Sequence, residues 1–191
     1  MFSLNVPLPP AVGRLAADLH PKLAGFDRVR ERHTLVAKRF AVDDVPGTRS
    51  GRRGVSDRRG GPTRRGGPKD VALAELREEL RPLLAGTDPF DAAITRIGAF
   101  DRPVRGPGPV VYLAVESDVL ARIHRRLCVA FDPVEGIEGD DYVPHVTLAR
   151  GGPPDAVASL VDTPIDPIEW RVHGFDLYDS EFREVAGRMT L

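Results

Sequence analysis

Apolar residues along this chain switch between a two-residue and a three-to-four-residue period, and each switch marks an element. Phe2 to Val6 alternates and stops at Pro7, which predicts a first strand. Pro9 and Pro10 stand where a helix can start without leaving an amide unpaired. Val12, Leu15, Leu19 and Leu23 follow at helical spacing, with Pro21 ending or kinking that helix. Phe26 to Phe40 is β-branched and aromatic with interleaved charge, predicting a second strand that contains His33. Val71, Leu73, Leu76, Leu80, Leu83 and Leu84 form the stripe of an amphipathic helix closed by Gly86.

The second half of the chain repeats the first half's order. Phe90, Ala92, Ile94 and Ile97 predict a strand running on to Phe100, and the continuous apolar run Val110 to Val115 predicts a central one. Ser117 is placed to cap a helix carrying Leu120, Ile123 and Leu127. An acidic loop, 132–141, leads into Tyr142-Val143-Pro144-His145-Val146-Thr147-Leu148-Ala149-Arg150, a short apolar strand. A short helix around Ala156 to Val161 and two last strands, Trp170 to Tyr178 and Arg183 to Thr190, complete the pattern. Strand, helix, then a histidine-bearing strand thus occurs twice. This order implies two similar lobes related by a pseudo-twofold axis, with the strands of His33 and His145 facing each other.

Composition narrows the class. The 191 residues and 41% hydrophobic content are enough for a core that needs no covalent staples. The single cysteine, Cys128, excludes an internal disulfide framework and fits a reducing compartment. No apolar run has the length of a membrane helix, and Met1-Phe2-Ser3-Leu4-Asn5 lacks a signal peptide's basic start, so the expected location is the cytoplasm, away from any membrane. The net charge of −1 conceals an asymmetry, for residues 47–69 carry a net +7 and the remainder −8. That arginine- and glycine-rich segment has Val55 as its only large apolar residue. It is expected to be a disordered insertion in a surface loop, with an RNA contact through its arginines as the alternative.

Candidate chemistry resides on the two histidine strands. Side chains alternate across a strand, so His145 and Thr147 share one face while Val146 and Leu148 share the other. An imidazole that exchanges a proton near neutrality, beside a hydroxyl that can hold an anion, suits phosphodiester chemistry. Two such units would supply one histidine to activate a nucleophile and one to protonate a leaving group, without a metal or cofactor. On strict alternation Arg150 lies on the face opposite His145. The first copy is irregular: with His33 in the histidine place, Leu35 falls in the threonine place and Thr34 comes one residue early. A bulge would be needed to aim His33 and Thr34 at one anion.

The chain resembles the two-histidine (2H) phosphoesterases, in particular their 2′,5′ RNA ligase-like, RNA cyclic phosphodiesterase branch. The resemblance is carried by Pro144-His145-Val146-Thr147-Leu148-Ala149-Arg150, by Pro7-Leu8-Pro9 and Pro89-Phe90, and by Phe175-Asp176-Leu177-Tyr178-Asp179-Ser180. It implies an α+β bilobal fold, each lobe an antiparallel sheet packed with helices, with the active cleft between them. It further implies that His33 and His145 act as general acid and base on RNA or a nucleotide bearing a 2′,3′-cyclic phosphate, giving a 2′-phosphate, or on a 2′,5′ linkage. Thr147, Thr34 and Arg150 would bind the phosphate, and the protein would act as a monomer. The rival readings are an RNA-binding module with weak catalysis and an esterase for a small cyclic nucleotide.

The remaining histidines fit neither motif. His20 and His124 fall on helical stretches and are expected at the surface, and His173 has no threonine two residues on. No spacing among histidine, cysteine and carboxylates resembles a zinc or iron site. Asp43-Asp44 and Asp140-Asp141 are expected to be solvated loop charges. Tyr142 is placed either to stack on a base or to pack in the cleft wall. Arg39, six positions past His33, would reach a neighbouring nucleotide about 20 Å along an extended strand.

Overall fold

The computed structural model describes residues 1–40 and 68–191, and the side chains from residue 71 onward in the second of these stretches. The expected insertion at 47–69 therefore lies outside the described residues, apart from Pro68 and Lys69, which open a helix. The chain runs β1 (Phe2–Val6), α1 (Pro10–Leu19), β2 (Arg28–Val29), β3 (Leu35–Phe40), α2 (Pro68–Leu84), β4 (Phe90–Phe100), β5 (Val110–Glu116), α3 (Asp118–Ala130), β6 (His145–Arg150), α4 (Pro154–Val161), β7 (Ile168–Val172), β8 (Gly174–Asp179) and β9 (Glu184–Thr190). Short 3₁₀ turns at His20–Leu23 and Gly139–Asp141 complete it.

Among the described residues the nine strands join one sheet, in the order β7-β4-β5-β6-β3-β1-β8-β9, with β2 paired to β6. The order is palindromic about the junction of β3 with β6. The strand preceding a helix, β1 or β5, lies second from the junction in each half, and a late strand closes each outer edge. Every pairing is antiparallel, so the architecture is the expected α+β arrangement of two pseudo-symmetric halves.

The helices cover one face. Leu76, Leu80 and Leu84 of α2, Leu120, Ile123 and Leu127 of α3, and Val12, Ala16 and Leu19 of α1 bury against Leu4, Val6, Leu35, Leu113, Val146 and Leu148 of the sheet. Burying an aliphatic side chain of this size contributes roughly 1.5–3 kcal/mol before chain entropy is counted. Ser117 caps α3 as anticipated, its Oγ accepting from the Leu120 amide at 3.4 Å. Gly86 ends α2 with a positive φ of 72°, a backbone conformation that glycine adopts without a Cβ clash.

The element pattern differs from the sequence reading in two places. The expected strand Phe26 to Phe40 is two strands, and His33 lies between them rather than within one. Arg28 pairs with Arg150 and Val29 with Ala149, and the Arg30 amide donates to the Leu148 carbonyl at 2.8 Å. The ladder on β6 resumes at Leu35 opposite Val146. Three residues, Glu31, Arg32 and His33, are therefore looped out of register. The expected strand Trp170 to Tyr178 is likewise two, broken at His173, with β7 pairing to β4 in one half and β8 to β1 in the other. Gly174 permits the crossing, since a Cβ there would lie 2.4 Å from the Met189 carbonyl oxygen.

Candidate active site

On the face away from the helices, the register decides where each candidate side chain goes. β6 pairs to β5 through His145, Val146 and Thr147, skips Leu148, and resumes at Ala149 and Arg150. Leu148 is thus the extra residue of a β-bulge, which inverts the alternation beyond it. Leu148 and Ala149 are both fully buried, and Arg150 emerges on the same face as His145. Alternation alone placed Arg150 on the opposite face; the bulge corrects that.

β3 has the same irregularity. It pairs to β1 through Leu35 and Val36, skips Ala37, and resumes at Lys38 to Phe40. Superimposing the two bulges matches Ala37 with Leu148, Arg39 with Arg150, Val36 with Thr147, Leu35 with Val146 and Thr34 with His145. Burial agrees throughout this stretch, with Leu35, Ala37 and Lys38 buried as are Val146, Leu148 and Ala149. In this register the histidine place of the first half holds Thr34 and the threonine place holds Val36, while His33 corresponds to Pro144.

A cavity of about 320 Å³ opens where the halves meet. His145 and Arg150 line it from one half and Val36 and Arg39 from the other, with Tyr142, Phe100, Arg102, Arg105 and the carboxylate of Asp141 among the other residues of the wall. Of the residues expected to form a site, it brings together His145 and Arg150. Thr147 lies half-buried on the face of His145 but is not part of this wall, and Thr34 lines a separate hollow. His33, half-buried before β3, lines neither.

The surroundings of His145 fix its protonation state. Its Nδ1 lies 2.7 Å from the Val143 carbonyl oxygen and must donate to it, leaving Nε2 as an acceptor. The imidazole packs edge-on against Phe100 and Tyr112, both with centroids 5.2 Å away. Burial lowers its pKa below the ordinary histidine value; the Val143 bond works against this, and the charges of Arg39 and Arg150 reinforce it. At neutral pH His145 is therefore uncharged and ready to accept a proton. Tyr112 stacks on Phe100 at 4.3 Å and lies over Gly98, where a Cβ would approach its ring to 2.7 Å. Glycine at that position lets the aromatic support lie flat on β4.

Arg39 and Arg150 are braced differently. Arg150 donates to the Arg105 carbonyl at 2.8 Å. Behind Arg39 is a buried polar network that holds the β3 bulge. The side chain of Lys38 is fully buried, and its Nζ contacts Glu138 at 2.7 Å and the Arg39 and Asp132 carbonyls at 2.7 and 3.0 Å. Glu138 accepts from the Arg39 amide at 2.8 Å and lies 3.5 Å from its guanidinium. Burial works to raise the Glu138 pKa, but Lys38 and the Val134 and Arg39 amides outweigh it and hold the carboxyl low. His124 donates from Nδ1 to the carbonyl of the bulged residue, Ala37, at 2.7 Å and accepts from the Gly139 amide on Nε2 at 2.8 Å. It also stacks on Tyr142, whose hydroxyl donates to the Val36 carbonyl at 2.8 Å.

His124 was expected at the surface and is instead fully buried, because the bulge leaves a carbonyl that needs a donor. Glu138 comes from the acidic loop 132–141, to which the sequence reading gave no buried role. The cavity-lining residue that sequence reasoning placed too far away is Arg39. An apolar residue followed four positions later by arginine, at Leu35/Arg39 and Val146/Arg150, is the signal that finds it.

Residues 64–182 match the family model for the 2'-5' RNA ligase superfamily. The chain belongs to that superfamily. No curated protein matches it. Among solved structures it is similar to TT0787 of Thermus thermophilus, with 20% identity, a TM-score of 0.55, and coverage of 100% of this chain and 97% of that one, a likeness of fold. Among the described residues no helix is long and apolar enough to cross a membrane.

Proposed function

We propose that this member of the 2'-5' RNA ligase superfamily opens 2′,3′-cyclic phosphates, on RNA ends or nucleotides, in the cavity between the halves. The observation that carries this reading is the Nε2 acceptor of His145 in one cavity with Arg39 and Arg150, two arginines that pseudo-symmetry brings to the same wall. The guanidiniums hold the non-bridging oxygens, for which their planar forks are suited. His145 takes a proton from water as the water oxygen bonds to phosphorus. The bond from phosphorus to the 3′ oxygen breaks, and that oxygen gains a proton to leave a 2′-phosphate. Thr147 adds a hydroxyl on the face of His145. His33, on the looped-out segment before Thr34, does not line this cavity, so the departing oxygen takes its proton from water.

The register supports a second reading. With Thr34 and Val36 in the histidine and threonine places, the first half can grip a phosphate through Arg39 without supplying an acid, and the protein would then bind RNA ends with little turnover. Hydrolysis of a 2′,3′-cyclic mononucleotide in the presence of EDTA decides between them. Turnover that falls about 10²–10⁴-fold in His145→Ala supports the esterase. Equal turnover by wild type and His145→Ala overturns it, and tight RNA binding without wild-type turnover establishes the binding module.

A further inference from the structure

The cavity at His145 has a neighbour. A hollow of about 600 Å³ lies on the same face of the sheet, lined by Arg30, Arg32, Thr34, Tyr178, Ser180 and Arg183. Thr34, just before β3, and Val36, on it, line the two hollows and stand about 7 Å apart along the extended chain. A second link runs through β2. Arg30 lines the hollow, its amide is bonded to β6 at Leu148, and Arg28 stands directly opposite Arg150. Burial lowers the Arg150 pKa, and the charges of Arg30 and Arg28 lower it further, as expected when guanidiniums approach one another. Such a concentration of like charge is unfavourable without an anion and favourable with one.

The hollow also contains a base-sized aromatic surface. Tyr178 accepts a hydrogen bond from Arg32 at 3.0 Å, and the Arg32 guanidinium lies 6.0 Å from its ring centroid. Arg32 also donates to the Arg183 carbonyl, tying the looped-out segment to the turn between β8 and β9. Among the described residues Glu31 is the one carboxylate in the wall, against three arginines. An aromatic ring beside several arginines is the arrangement that takes a stacked base and its phosphate.

We infer that the hollow of Arg30, Arg32, Tyr178 and Arg183 is a second nucleotide subsite, so that the substrate is an RNA strand whose penultimate nucleotide lies there while its terminal phosphate occupies the His145 cavity. This rests on the reading of that cavity as the site for a phosphodiester end. The base stacks on Tyr178 and its phosphate meets Arg30. A mononucleotide fills the first space only, and is bound and turned over less well.

The test compares a labelled single-stranded RNA oligonucleotide ending in a 2′,3′-cyclic phosphate with the cyclic mononucleotide, measuring affinity and kcat/KM on the full chain. Wild type prefers the oligonucleotide, and Tyr178→Ala lowers the ratio of the two affinities at least about tenfold. Tyr178→Phe, which keeps the ring, retains most of that preference. Arg30→Gln, an exposed change that serves if Tyr178→Ala fails to fold, reduces the salt slope of oligonucleotide binding by about 0.7. Equal affinity of wild type for oligonucleotide and mononucleotide, or equal losses for both in each variant, overturns the subsite. Oligonucleotide preference without turnover of either substrate leaves the subsite standing and removes the esterase reading. Turnover of both with no preference does the reverse.

Discussion

Leu35 stands opposite Val146, and this one ladder pair is the direct pairing of β3 with β6. Both side chains are fully buried, so their neighbours on either side emerge on the opposite face of the sheet. Thr34 and Val36 emerge from one strand, His145 and Thr147 from the other. The pair thus fixes the axis about which the candidate chemistry is arranged, and that chemistry is unequal across it.

Removing either pseudo-symmetric arginine tests the phosphate site. Arg39→Ala and Arg150→Ala should each reduce kcat/KM for a 2′,3′-cyclic nucleotide by about 10²–10³-fold, the loss typical of a donor to a developing oxyanion. Lysine at either position should restore part of it, because it returns the charge without the fork. Steady-state kinetics on the two pairs of variants measures this. Loss at one arginine only would show that the phosphate sits against one half.

Because His145 is held below its ordinary pKa, catalysis should persist to lower pH than a free imidazole allows. The acid limb of kcat/KM should fall below about pH 6.5, the ordinary histidine value. A limb above that value would contradict the neutral, Nε2-accepting state.

Stability should decrease over the same range for a separate reason. Burial also lowers the pKa of His124, the Ala37 bond working against it, while Glu138 raises it and Lys38 and Arg39 lower it. A depressed histidine means that the unfolded chain binds a proton that the folded chain refuses, so stability drops as pH falls below about 6.5. The structural reason is that Nε2 accepts from the Gly139 amide and cannot do so once protonated. Thermal midpoints should fall between pH 7 and pH 5, with less of a fall in His124→Gln. That variant should itself lose roughly 2–3 kcal/mol for the Ala37 and Gly139 groups left without their partner. A pH-independent midpoint would argue against this account.

The buried pair of Lys38 and Glu138 gives a second stability test. Glu138→Ala leaves an ammonium fully buried without its counterion, and should cost about 3–5 kcal/mol in a denaturant titration. The same change frees the Arg39 amide, so surviving protein should bind cyclic phosphate less well than its folded fraction accounts for.

Register equivalence makes a constructive prediction. Thr34→His places an imidazole at the pseudo-symmetric counterpart of His145, and should raise turnover of a cyclic nucleotide at least about tenfold, the low side of what a positioned acid contributes. If turnover does not rise, matching backbones do not imply matching side-chain directions.

Much of the architecture was legible because period and capping are local. The helix stripe of α2, the Ser117 cap, the buried run of β5 and the twofold order of elements all follow from neighbouring residues. What escaped depends on the third dimension. Alternation misplaced Arg150 because a bulge has no sequence signature here, Leu148 being an ordinary strand residue, and Arg39 was set apart by a distance counted from His33. His124 read as a surface histidine because its partner, the Ala37 carbonyl, exists only as a consequence of that bulge. The crossing at His173 was hidden because β7 and β8 are equally apolar on either side of it. His33 read as a strand residue because nothing local announces the loop of Glu31 to His33.

The two bulges bear on the half of the chain that the family match leaves out. The family model begins to match at residue 64, after the whole of β1 to β3. Yet the backbone of β3 repeats that of β6 down to its one misfitting residue. Kinship in the first half is therefore written in the bend of the main chain after its side-chain spelling has changed.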